Sequence, residues 1–577
     1  MISRKLALSA QLIVIVVFSV GVTAQSQTPN KENKAQQPTW LAKLEEHPFI
    51  AALSDGTLIA CFNRTLDGRA EVAARISRDS GHTWDPPEAL VTLPTDRGRF
   101  PLFLAFADRN DELHLFFLND AGTRSARAVA VKPETIQPRL DVWHTKSMNR
   151  RSAWQPLKMI HQGFASHLNS VIQLKNGRIV VPFASLTKRT WGNRGEGFDA
   201  FTYMGQYDCT TIYSDDGGET WHKSPAALKV ETPDIRTYGA VEPVVLELKD
   251  GRIWMLMRTQ RGRFWESFSK DGVEWSPARP TNILSSDSPA GLLRLKDGRI
   301  ALFWNGCLRA SYAFGGRPVL HVAISEDEGK TWRGYREVAR DPLRSEPPPP
   351  SGDWGTAYPF PVATKEGKIL LRTGQGRGRN FLLQVDPDWV YETAQRSKFA
   401  SEGLDDWSTF ATKGIELLPH PAKKETRVLS IRKTMAEWPA TAVWNFPHGA
   451  RGRLRLRLML NPGFQGALVG LTDHYSPPFD YEDRFFNLYN FAIGPGGKLA
   501  TGGNLEFNRW YTLQFEWDTV SREARVLADD KLLGTLPLRV ESHGVSYLRL
   551  RSTAPITDTA GLLVESVEVD VSPPGKK

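Results

Sequence analysis

The stretch Tyr238–Trp275 reads YGAVEPVVLELKDGRIWMLMRTQRGRFWESFSKDGVEW. It opens with an apolar run broken by Glu242. A Lys-Asp-Gly turn follows at 249–251, then an alternating segment that ends at Arg258. A second segment runs into Ser269-Lys270-Asp271-Gly272-Val273-Glu274-Trp275. Apolar segments on both sides of an Asp-Gly pair predict a β-hairpin, because that dipeptide supplies the backbone a tight turn needs.

The same turn recurs as Ser54-Asp55-Gly56, Asn110-Asp111-Glu112, Lys175-Asn176-Gly177, Asp297-Gly298 and Lys365-Glu366-Gly367. The segments that follow the six turns read TLIACF, LHLFFL, RIVVPF, RIWMLM, RIALFW and KILLRT. Six hairpins are therefore predicted. A second motif closes most repeats: SRDSGHTW at 77–84, SDDGGETW at 214–221, SEDEGKTW at 325–332, and the shorter SKDGVEW at 269–275. SMNRRSAW at 147–154 reads as a decayed copy. In this motif the Asp accepts backbone N–H bonds, the Gly takes the positive φ and the Trp packs under the turn. Its aspartates are read as structural.

These motifs are Asp-boxes. With six repeats between about Glu45 and Trp389, the chain resembles the six-bladed β-propeller of the sialidase (neuraminidase) superfamily, built from BNR repeats. Radial repetition also leaves few exposed strand edges. After Tyr391 the Asp-boxes stop, but strand signals continue, as in RLRLRLML at 453–460 and WYTLQFEWD at 510–518. This part reads as an antiparallel β-sandwich and resembles concanavalin-like and laminin-G-like lectin sandwiches. The expected fold is all-β: a six-bladed β-propeller followed by a sandwich. The expected divisions are a signal peptide at 1–24, a disordered leader at 25–44, the propeller at 45–392, a linker at 393–401 and the sandwich at 402–575.

Composition limits the function classes. Of 577 residues, 41% are hydrophobic and 24% charged, which is ordinary for a globular protein. Arg4 and Lys5 precede an apolar run from Leu6 to Val22, and Val22-Thr23-Ala24 reads as a cleavage site. Export to the periplasm or outside the cell is expected, with no membrane span after cleavage. The three cysteines, Cys61, Cys209 and Cys307, do not make a disulfide framework. No CxxC or HExxH motif is present, so no metal or cofactor is expected. The net charge of +9 points to an anionic partner, read as an acidic glycan; no recognisable module argues for nucleic acid.

In a propeller the innermost strands line a central bowl. Here the stretches that should be innermost begin with polar residues: Glu46-His47-Pro48, Arg99-Phe100-Pro101, His167-Leu168-Asn169, Tyr238 to Pro243, Asp287-Ser288-Pro289 and Tyr358-Pro359. A buried carboxylate such as Glu242 needs a partner, and Arg258 stands sixteen residues later, across one Asp-Gly turn. The superfamily resemblance implies that Glu242 is the base that activates a tyrosine, Tyr358 the nucleophile and Asp67 the acid/base. It implies that Arg258 and Arg317 grip a substrate carboxylate. His167, Asn169 and Tyr238 are further candidates to line the site. Each has a structural reading beside it: a blade-holding ion pair for Glu242–Arg258, an aromatic filler for Tyr358, a hairpin turn for Asp67, a loop arginine for Arg317 and a core histidine for His167.

The first blade departs from the superfamily pattern. Glu46 stands where the pattern has an arginine, two residues before Pro48, and Arg64 or Arg99 would have to substitute. The leading expectation is an exported sialidase-like glycoside hydrolase that removes a terminal acidic sugar with retention. The alternatives are a non-catalytic glycan-binding propeller and a propeller lyase acting on uronic-acid polysaccharides.

Overall fold

Each of the six turns joins two antiparallel strands. In the fourth repeat, Ala240–Glu247 pairs with Ile253–Thr259, and the chain continues through Arg263–Ser269 to Arg279–Leu284. The computed structural model describes residues 36–41, 46–119, 139–148, 153–189, 205–230, 238–307, 317–346, 354–376, 378–397, 399, 403–410, 414–480 and 482–572. Those from Thr39 to Val385 form six small antiparallel sheets, five of four strands and one of five. We number them 1 to 6 by their first strands: Phe49–Ala52, Leu102–Ala107, Ile172–Gln173, Ala240–Glu247, Gly291–Arg294 and Phe360–Ala363.

The sheets are linked in a ring. Ser54 of sheet 1 donates through N–H and hydroxyl to Asp111 of sheet 2. Arg109 of sheet 2 donates to the Leu174 and Lys175 carbonyls of sheet 3. The Lys175 N–H reaches Glu247 of sheet 4, and the Lys249 N–H reaches Glu328 of sheet 5. Lys296 Nζ bonds the Lys365 carbonyl of sheet 6, and Lys365 Nζ bonds the Arg78 carbonyl of sheet 1. The circuit runs through the Asp-Gly turns and Asp-boxes, so one end of the ring is given to architecture. The starts of the first strands, at the other end, remain for chemistry.

Sheet 6 takes its outer strand from the start of the chain. Thr39–Trp40 pairs with Leu383 and Gln384, and the Trp40 ring packs edge-on against Phe381 at 5.0 Å. Part of the expected 25–44 leader is therefore ordered sheet. Its polar surroundings hid the short strand. The signal segment 1–24 and residues 25–35 lie outside the described residues. No helix among the described residues is long and apolar enough to cross a membrane.

The Asp-boxes follow the expected physics. In the first, Thr83 donates through N–H and hydroxyl to Asp79, the Gly81 N–H bonds Ser77 Oγ, and the Trp84 indole bonds the Gly81 carbonyl. The boxes at 214–221 and 325–332 repeat the Asp–Thr bonds. The three cysteines are buried.

The C-terminal part stacks an eight-stranded sheet on a five-stranded one. The RLRLRLML alternation buries Leu454, Leu456 and Leu458 in one core with Trp444, Leu548 and Leu550 of the facing sheet. Ala394–Arg396, inside the expected linker, is a strand of the larger sheet and pairs with Glu568–Asp570. Gln36–Lys577 is one compact unit, and the sandwich packs on sheet 5. Cys307 and Val319 share a buried cluster with Val443, Tyr475 and Tyr547. Arg344 reaches the Asp405 and Trp407 carbonyls of the sandwich.

Candidate active site

Strand pairing in sheet 4 slips between Val241 and Val244, leaving Glu242 and Pro243 in a bulge. A proline has no N–H to give a ladder, so a bulge accommodates it, and the bulge re-aims the preceding side chain. Glu242 has φ +50° there, and Tyr358, also followed by a proline, has φ +63°. These left-handed conformations are costly for residues other than glycine.

The two side chains meet. The Tyr358 hydroxyl donates to Glu242 Oε1 at 2.9 Å. Arg258 Nη1 donates to Glu242 Oε2 at 2.5 Å, and Arg258 Nε donates to Asp287 Oδ1 at 2.6 Å. Tyr238 also donates to Asp287 Oδ1, and Gln260 Nε2 donates to Asp287 Oδ2 at 3.2 Å. Arg258 is 3% exposed and Asp287 1%, whereas Tyr358 is partly exposed.

Burial pushes the Glu242 carboxyl up, but the Arg258 charge and the charges around it outweigh that and hold it below the usual range. Glu242 is thus an ionised acceptor in contact with a phenol. Burial also lowers the pKa of His167, helped by the Arg258, Arg372 and Arg317 charges and opposed by Glu242, so its imidazole is neutral at neutral pH. The His167 ring lies 5.1 Å from that of Tyr358 and 4.4 Å from that of Phe103. Its Nδ1 and both polar atoms of the Asn169 amide are buried without hydrogen-bond partners among the described residues.

Arg317 joins the same group. It donates to the Gln375 side chain and, at 2.9 Å, to the Asp287 carbonyl, and its guanidinium lies 5.7 Å from the Tyr358 ring centre. Gly355, at φ +116°, allows this approach: a Cβ there would meet the Arg317 carbonyl at 2.3 Å.

Three other candidates stand apart. Asp67 is exposed at the tip of the Leu58–Leu66/Arg69–Ser77 hairpin, at φ +49° with Gly68 at +76°, the geometry of a tight two-residue turn. Phe49, at the start of the first strand, pairs with Cys61, so this hairpin overhangs the site end of sheet 1. Arg64 pairs with Glu71 at 2.6 Å, and Arg99 is exposed. Glu46 is itself paired, with Arg75 at 3.2 Å. Among the described residues no group of three or more His, Cys, Asp or Glu could hold a metal ion.

Residues 55–371, more than half of the chain, match the family model described as a BNR repeat-like domain. The chain belongs to the BNR repeat-like family. The resemblance carried by the Asp-boxes is borne out at that level. No curated protein matches this BNR repeat-like chain. Similar solved structures include a protein of unknown function from Dyadobacter fermentans, with TM-score 0.43 and 17% identity over 61% of this chain and 97% of that one. Trypanosoma rangeli sialidase has TM-score 0.39 and 13% identity over 92% of each chain. A mutant of that sialidase displaying trans-sialidase activity has TM-score 0.40 and 14% identity over 94% and 95%.

Sequence reasoning about this BNR repeat-like chain gave Asp287 no role and passed over Gln260, Gln375 and Arg372. Asp287 stood in plain view as the polar start of the fifth inner stretch. Arg372 closes KILLRT with Arg-Thr, as Arg258 does RIWMLMRT, and that echo was the available signal.

Proposed function

We propose that the chain is an exported glycoside hydrolase that removes a terminal acidic sugar with retention of configuration. The observation that carries this reading is the 2.9 Å hydrogen bond from the Tyr358 hydroxyl to the ionised, buried Glu242. A phenol with a pKa near 10 is a poor nucleophile unaided. A carboxylate in contact takes its proton as the phenolic oxygen attacks the anomeric carbon. The glycosidic C–O bond breaks, and the leaving oxygen takes a proton from Asp67, carried in on the overhanging hairpin. Asp67 then deprotonates a water that attacks the same carbon, the Tyr358 oxygen leaves, and Glu242 returns its proton. Two displacements give retention. A neutral nucleophile also meets an anionic sugar without the repulsion of a second carboxylate. Arg258 and Arg317 supply the positive environment.

A second reading, glycan binding without cleavage, is favoured by two observations: Glu46 in place of an arginine, and the exposure of Asp67 away from the other candidates. One experiment separates the readings. The protein is incubated with a fluorogenic sialoside and a panel of acidic oligosaccharides, with release and binding both measured. Release that falls about 10²-fold or more in Tyr358→Phe and Glu242→Gln, and also in Asp67→Asn, supports the hydrolase. Binding with no release from any substrate sinks it in favour of the second reading.

A further inference from the structure

We infer that Arg372 is the receptor for the acidic group of the ligand, a single carboxylate. The inference rests on the acidic-glycan reading and goes further by naming the side chain that receives the acid.

The three buried arginines of the site differ in what already occupies them. Arg258 is gripped by two carboxylates, Glu242 at 2.5 Å and Asp287 at 2.6 Å. Arg317 is bonded to the Gln375 side chain and the Asp287 carbonyl. Arg372 has no carboxylate or carbonyl partner among the described residues. It is 7% exposed, and its Nε is buried with no hydrogen-bond partner among the described residues. Its Nη2 lies 3.4 Å from Nδ1 of His47, an imidazole whose pKa is lowered by the packing around it and by the Arg372 charge. Its guanidinium lies over two phenylalanine rings, Phe49 at 5.4 Å and Phe360 at 5.1 Å. Burial pulls its pKa down to about 10, and no carboxylate among the described residues raises it again. It is still a cation at neutral pH.

A buried cation without a counter-ion destabilises a fold. It is retained where a ligand supplies the missing charge. The charges of the site lead to the same conclusion: among the described residues three arginines stand against two carboxylates, Glu242 and Asp287, which leaves one positive charge. One carboxylate completes the set, and its planar pair of oxygens suits one edge of a guanidinium. The position is open to a ligand, because Phe49, Phe360, His167 and Tyr358 are all partly exposed. Phe360 follows Tyr358 by two residues, so the acid would sit beside the reacting phenol. Sheets 6 and 1 thus provide from Arg372 what the first blade lacks at Glu46.

Calorimetric titration of the full chain with sodium N-acetylneuraminate, sodium glucuronate, glucose and sodium sulfate tests this, using wild type, Arg372→Met, Arg372→Lys and Tyr358→Phe. Wild type and Tyr358→Phe should bind one of the two sugar acids, and not glucose. Arg372→Met should weaken that binding about 10-fold or more, while its unliganded Tm is no lower than that of wild type. A purely structural arginine would lower the Tm instead. If the Met variant does not fold, the Lys variant carries the test: it keeps the charge but not the fork and should still bind the acid more weakly. Undiminished binding in the Arg372 variants overturns the inference. So does wild type that binds neither sugar acid, or binds sulfate as tightly as either. Acid binding through Arg372 with no hydrolysis anywhere would sink the hydrolase and leave this inference standing. Hydrolysis indifferent to Arg372 would do the reverse.

Discussion

Glu242 and Tyr358 sit in the left-handed backbone region, each just ahead of a proline. Such a conformation costs on the order of 1–3 kcal/mol for a non-glycine residue, and here the bulge and the Arg258 ion pairs hold it. Arg258 is thus a residue on which the fold here depends. Arg258→Met would leave Glu242 and Asp287 buried without a cation and should cost about 3–5 kcal/mol, read as a lower urea midpoint. Glu242→Gln keeps the shape and leaves Arg258 on Asp287, so it should lower the midpoint much less. The sequence made Glu242 and Arg258 legible because they lie on one hairpin. Asp287 and Arg372 were harder to see. The Tyr358–Glu242 contact spans 116 positions and the Arg372–His47 contact 325. Periodicity within one repeat tells which residues share a strand face, but not which side chains of other repeats that face meets across a ring.

Among the elements, the Asp-box was the most transparent, because all its bonds are local. The Asp216 carboxyl is pushed up by burial and pulled further down by Thr220, to about 2. Its contribution is present above the free carboxyl pKa of about 3.9 and is lost as the pH falls towards 2. Asp216→Ala should lower stability by about 1 kcal/mol in a denaturant titration and leave turnover unchanged, since the box lies at the end of the ring away from Tyr358. The strands Thr39–Trp40 and Ala394–Arg396 were opaque for the opposite reason. Two or three residues carry no period, and each strand is fixed only by a partner far along the chain.

At the scale of the whole molecule, the sandwich is joined to the ring through a buried chain of hydrogen bonds. The Gly306 N–H donates to His321 Nδ1, so the ring proton lies on Nε2, which faces the Tyr547 hydroxyl at 2.5 Å. Tyr547 donates to Glu337 Oε1 at 2.7 Å, and Arg340 holds the other oxygen. A second proton on His321 would displace Gly306. Burial holds His321, His161 and His448 down at about 4. Their free value is about 6.5. Below that value the unfolded chain takes up protons that the folded chain refuses, so stability falls as the pH drops from 6.5 towards 4. Burial opposes charge on His474 as well, but bonds to Asp473 and Asp483 outweigh it and raise its pKa to about 9. Its contribution is complete below 6.5 and is lost as the pH rises through 9. The histidine-linked stability should therefore peak near pH 6.5, each fully titrating group changing it by about 1.4 kcal/mol per pH unit. Urea midpoints measured from pH 4 to 9 check this; a flat profile would contradict it.

The strand at Thr39 and Trp40 also sets the order of events during synthesis. Thr39 pairs with Gln384, 345 positions later, so the first segment of the ring to emerge is the last to find its place. Until the sixth sheet has been made, Trp40 has no Phe381 to cover it and the sheet 6 edge lacks its outer strand. Closing so long a loop is entropically slow, and exposed edges and apolar rings in the interval favour misassociation. Because Tyr358 and Arg372 both belong to that last sheet, a nascent chain acquires its candidate chemistry only when the circle shuts.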